Sequence, residues 1–121
     1  EFRPDGAAVV AQLIDNTAQS ARILTVPVGG PATSATLLAE GEPGGCLPVF
    51  SEFTPDSSRL VFAGLCPPSF AATQLWSVPA SGPAAAAVSL GGSFAAGGSI
   101  QGIAYSPDSQ WLVFCADRLV D

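Results

Sequence analysis

The chain has 121 residues, enough for one domain with a real core. Of these, 48% are apolar and 12% charged, which excludes the charged, weakly hydrophobic kind of disorder. The net charge of −6 sets ten acidic residues against four scattered arginines (Arg3, Arg22, Arg59, Arg118); with no basic patch to displace phosphate counterions, no nucleic-acid partner is expected.

Glycine (13) and proline (11) punctuate the apolar runs, which reads as many short strands joined by tight turns. The first landmark is Phe2-Arg3-Pro4-Asp5-Gly6, followed by an apolar strand over residues 7–13. A strand over 21–26 runs into Val26-Pro27-Val28-Gly29-Gly30-Pro31, and a further strand is expected over about 34–39. Glu40, Glu42 and Glu52 bring negative charge to the loop and strand that come next. The strand predicted over 47–53 ends in Phe53-Thr54-Pro55-Asp56-Ser57, a second copy of the first landmark. After it come a strand over 59–65, a loop over 64–72 with Cys66-Pro67-Pro68 and Phe70, and a strand over 73–78. Val78-Pro79-Ala80-Ser81-Gly82-Pro83 then repeats the second landmark, and a strand follows over 86–90. Gly97-Gly98 marks a turn before a strand over 100–105, a third landmark Tyr105-Ser106-Pro107-Asp108-Ser109, and a last strand over 111–116.

The prolines Pro4, Pro55 and Pro107 stand 51 and 52 residues apart, and the Val-Pro landmarks keep the same register. Such a period means a stacked repeat, here of four strands. In each Pro-Asp turn, proline presets φ for the second position of a type I turn. Aspartate bonds back to the local backbone, and glycine or serine suits the exit. Leu60-Val61-Phe62-Ala63 is apolar on both faces, as a sheet wedged between two neighbours requires. The fold class is therefore all-β: a partial β-propeller of about 2.3 four-stranded antiparallel blades, with blade 1 over 1–45, blade 2 over 46–97 and the start of blade 3 over 98–121.

The pattern aromatic-Ser-Pro-Asp-Gly, then an apolar strand, then a strand ending before Gly-Gly-x-Pro, resembles the WD-like repeats of TolB-type propellers. Tyr105-Ser106-Pro107-Asp108-Ser109 with Leu112-Val113-Phe114 is the nearest copy, and Asp117-Arg118 resembles a segment that often follows it. The resemblance implies a bacterial protein of the periplasm or the extracellular space, acting as a binding scaffold. Similar blades also form the gating domain of prolyl-oligopeptidase-like hydrolases. Closed propellers hold roughly four to eight blades, so this chain is expected to be part of a longer propeller, or to associate with copies of itself.

Cys46 and Cys66 are a candidate disulfide. A three-residue loop at Pro55-Asp56-Ser57 would set Thr54 opposite Ser58, and Cys46 then falls opposite Cys66. A register one residue off would leave two free thiols instead. Cys115 aligns with Ala63, which reads as a small buried strand residue or as the partner of a cysteine elsewhere.

No histidine, Gly-x-Ser-x-Gly elbow or phosphate loop occurs, so no catalytic residue, cofactor or metal ligand is assigned. The turn aspartates Asp5, Asp56 and Asp108 have calcium binding as their sharp reading and turn chemistry as their plain one. Trp76 and Trp111 are expected in core or edge packing. Phe70, Glu40 and Glu42 are the candidate partner contacts. The expected function is non-catalytic protein binding or structural support, the partner being another protein, further blades or a second copy. The other readings are the gating propeller of a hydrolase and a self-assembling filament subunit. No apolar run reaches the length of a membrane span, so no membrane insertion is expected.

Overall fold

The computed structural model describes residues 1–15, 20–40, 47–66, 72–91 and 98–116. They form nine antiparallel strands: β1 (Ala8–Asp15), β2 (Ser20–Pro27), β3 (Thr36–Glu40), β4 (Leu47–Phe53), β5 (Arg59–Cys66), β6 (Ala72–Pro79), β7 (Val88–Leu90), β8 (Ile100–Tyr105) and β9 (Leu112–Ala116). The expected strands over 47–53 and 100–105 end where β4 and β8 end. The others start or stop one or two residues away; β3 and β7 start two residues late because a short 3-10 turn, Ala32–Ser34 or Ala84–Ala86, stands before each.

The strands make three sheets, each a meander in chain order: β1-β2-β3, β4-β5-β6-β7 and β8-β9. Phe2 adds an isolated antiparallel bridge to Val9, and the Val10 N–H donates to the Glu1 carbonyl at 2.8 Å. Residues 1–3 thus run beside β1 as β4 runs beside β5.

The four-stranded sheet sits between the other two, and its inner strands β5 and β6 bury apolar side chains on both faces. One face sends Phe53, Leu60, Phe62 and Val78 against Val10, Ile23, Leu38 and Ala39 of the first sheet. The other sends Val61, Ala63 and Leu75 against Ile103, Tyr105, Leu112 and Phe114 of the last. Alternation along β5 divides its side chains between these two cores, since successive side chains of a strand point to opposite faces. That is why its sequence is continuously apolar.

Outside the stack the pattern is different. Leu13 and Ile14 of β1 are exposed, as is Val113 of β9. Trp111, expected in packing, precedes β9 and is 73% exposed. Cys115, expected to be buried like Ala63, is an exposed free thiol. Cys115 lies with Ala104 and Val113 on the face of β8-β9 turned away from the four-stranded sheet, whereas Trp111 stands before β9 at the rim of the space between the last two sheets.

The hairpin register also differs from the expectation. Phe53 pairs with Leu60, and the Thr54 N–H donates to the Arg59 carbonyl at 2.9 Å. The loop therefore holds residues 55–58, one more than expected, and Thr54 stands opposite Arg59. An irregularity between Pro48 and Phe50 shifts the register back, so that Leu47 pairs with Leu65. An extra residue in one strand is a β-bulge, and it moves every pair beyond it by one. Cys46 and the Cys66 side chain lie outside the described residues, and so does the pairing proposed for them.

Candidate functional site

The three Pro-Asp turns share one geometry. Each is closed by an N–H to the carbonyl three residues back: Gly6 to Arg3 at 2.8 Å, Ser57 to Thr54 at 2.8 Å and Ser109 to Ser106 at 2.9 Å. Gly6, Ser57 and Ser109 all adopt left-handed φ, at 72°, 64° and 57°. Glycine does this without strain, whereas serine crowds its Cβ against the backbone.

Each aspartate turns its Oδ1 into its own turn. The Asp56 Oδ1 accepts from the Thr54 hydroxyl at 2.6 Å, the Ser58 N–H at 3.0 Å and the Ser58 hydroxyl at 2.8 Å. The Asp108 Oδ1 accepts from the Ser106 hydroxyl and the Gln110 N–H, and the Asp5 Oδ1 from the Ala7 N–H and the Arg3 guanidinium. Hydrogen bonds to the charged form hold all three carboxyls below the usual aspartate range. The leading donors are the Arg3, Thr54 and Ser106 side chains, for Asp5, Asp56 and Asp108 respectively. These carboxylates are local turn caps, and among the described residues no three metal-binding side chains gather closely enough to hold an ion.

The serines at the turn exits reach from one sheet to the next. The Asp5 N–H donates to the Ser57 Oγ, and the Asp56 N–H donates to the Ser109 Oγ, both at 3.1 Å. The turns are therefore clipped in a row along one rim. On the sheets, Gln12 adds a side-chain hydrogen bond from β1 to the Pro48 carbonyl of β4.

A cleft of about 600 Å³ lies between the second and third sheets. Val61, Ser77, Val88 and Leu90 form its floor, and Leu112 and Phe114 its far wall. Arg59 stands at the turn end, where its Nε–H donates to the Ser77 Oγ at 2.6 Å and its Nη2 to the Ser77 carbonyl at 3.2 Å. Tyr105 also borders the cleft, and its hydroxyl is buried with no hydrogen-bond partner among the described residues. Burial first, then the charges of Glu52 and Glu1, push its phenol far above the ordinary range. Burial likewise raises the Glu1 carboxyl, with Glu52 adding repulsion.

The predicted contact residues do not converge here. Glu40 ends β3 and pairs with Arg22 of β2 at 2.6 Å, both side chains about half exposed, which stabilises little. Glu42 and Phe70 lie outside the described residues. The cleft itself was missed. Its signal was the 52-residue offset, which sets Val88 and Leu90 where Thr36 and Leu38 stand in the first sheet.

Compared with known proteins, the chain matches no family model, no curated protein and no solved structure at a significant level.

Proposed function

We propose that this chain is a non-catalytic scaffold, a partial β-propeller whose stacked sheets hold protein surfaces together. One observation carries the reading. The inner strands of the middle sheet, β5 and β6, bury apolar side chains on both faces, while the outer sheets turn apolar side chains of the same pattern to solvent: Val113 is 70% exposed where Val61, its counterpart, is 2%. Exposed apolar faces of this kind mark protein contacts. The faces call for another sheet, from further blades or from a second copy. The WD-like turn motif supports the propeller reading, and with it a bacterial periplasmic or extracellular setting.

Light scattering behind a sizing column tests the reading. A particle mass that climbs above 12.1 kDa with concentration, and drops back in Val113→Asp, is the expected result. A wild-type chain that stays monomeric up to roughly millimolar concentration would show that these faces need no cover, and the scaffold reading would fall.

A further inference from the structure

The two joints of the stack are built on one plan and filled differently. Gln12 of β1 pairs with Ile23 of β2, as Ala63 of β5 pairs with Leu75 of β6. Each stands two residues beyond a valine that faces the next sheet, Val10 or Val61, and so shares its face. In the first joint the Gln12 carboxamide crosses to the second sheet, where its Nε2 donates to the Pro48 carbonyl. In the second joint the matching carbonyl is that of Ile100. Pro48 and Ile100 each stand just before the irregularity in the first strand of their sheet. Ala63 has no polar group to send across.

A cavity of about 220 Å³ takes the place of that crossing side chain. Phe50 and Ala63, a cross-strand pair, form one wall, Ile100 and Ile103 the opposite one, and Thr73 and Gln101 complete the lining. These walls belong to β4, β5, β6 and β8, and neither β7 nor β9 borders the space. The Thr73 hydroxyl donates to the Gly98 carbonyl at 3.0 Å and keeps its lone pairs for a further donor. The Gln101 Nε2 gives one N–H to the Ser99 Oγ at 2.6 Å and has a second to give. None of the walls is charged, so an ionised ligand would enter unpaired, at high cost. An apolar cavity of roughly 150 Å³ already admits benzene.

We propose that this cavity binds a small neutral primary carboxamide with an apolar body, the free counterpart of the Gln12 side chain. Its two N–H groups serve the Ile100 carbonyl and the Thr73 hydroxyl, and its own carbonyl accepts from Gln101. The apolar body packs on Phe50, Ala63 and Ile103. The ligand ties β5 to β8 as Gln12 ties β1 to β4. A dissolved molecule thus fastens the second joint in the way the chain itself fastens the first.

The probe is benzamide, titrated into the 121-residue chain with backbone amide shifts read by NMR. Saturable shifts at Ala63, Thr73 and residues 100–103 are expected, with a Kd of roughly 1 mM or tighter. Methyl benzoate, similar in shape but without an N–H, should bind at least about tenfold more weakly. Ala63→Gln sets the chain's own carboxamide in the cavity and is expected to lose benzamide binding altogether. Should that variant fail to fold, Phe50→Ala, at a wall position 39% exposed, carries the test, with binding weakened by roughly tenfold or more. No saturable shift up to about 10 mM benzamide overturns the proposal. Methyl benzoate binding as well as benzamide overturns it too, as does wild-type binding by folded Ala63→Gln or by Phe50→Ala. These shifts report on the inside of the stack and not on the particle mass, so their failure leaves the scaffold reading standing.

Discussion

Val61 and Val113 occupy the same place in two hairpins of the same pattern, β4-β5 and β8-β9, and live in opposite surroundings. Val61 faces Leu75 and the last sheet, and Val113 faces solvent. Ala63 is buried and Cys115 exposed in the same way. Backbone, turn and capping bonds are alike in both hairpins, so local sequence does not set the contrast. It comes from the number of neighbours in the stack. A strand that is apolar on both faces records what it is shaped to touch, and only tertiary position decides what it does touch.

The sharpest test of that comparison is one charge placed in each hairpin. Val61→Asp puts a carboxyl at a position only 2% exposed and is expected to lower the melting midpoint steeply, by roughly 3 kcal/mol or more of stability. At concentrations low enough for the chain to be monomeric, Val113→Asp is expected to shift stability by no more than about 0.5 kcal/mol, as exposed substitutions do. Equal loss in both at that dilution would mean that the outer face of β8-β9 is covered within the single chain.

The turn aromatics give a smaller effect of opposite sign. Phe53 and Tyr105 both end the first strand of a hairpin, but only Tyr105 carries a hydroxyl, buried without a partner among the described residues. Tyr105→Phe should stabilise the chain by roughly 1 kcal/mol, and Phe53→Tyr should destabilise it by at least as much, in denaturant titrations. A destabilised Tyr105→Phe would reveal a partner for the hydroxyl.

The smallest effect is shared by both hairpins and tests their likeness. Asp56 and Asp108 have folded-state pKa values below the aspartate reference of 3.8. Their contribution is complete above that reference and fades as pH falls through the lower folded values. Melting curves below about pH 4 should therefore lose stability less steeply in Asp56→Asn and in Asp108→Asn than in wild type, by similar amounts. Unequal slopes would separate the two turns.

Much of this was legible in the residues. β4 and β8 lie between turn signals on both sides, and their limits follow from Phe53 and Tyr105 before the Pro-Asp turns. β3 and β7 were less legible, because Ala32–Ser34 and Ala84–Ala86 carry no capping side chain to announce a 3-10 turn. The bulge between Pro48 and Phe50 was not legible at all, since no glycine marks it. Trp111 was misplaced because hydrophobicity says that a residue prefers burial, not that a neighbour is present. The cleft between the sheets is a property of what covers Leu38 and leaves Leu90 open, which no single segment contains.

The row of clipped turns has one consequence for symmetry. Ser57 and Ser109 each accept the amide of the preceding turn's aspartate on the side-chain hydroxyl, but the first turn carries Gly6, which has no hydroxyl to offer. The rim therefore has a polarity. Each joint is thus held from one side, by the later turn's hydroxyl, and the Gly6 turn receives such a clip without offering one.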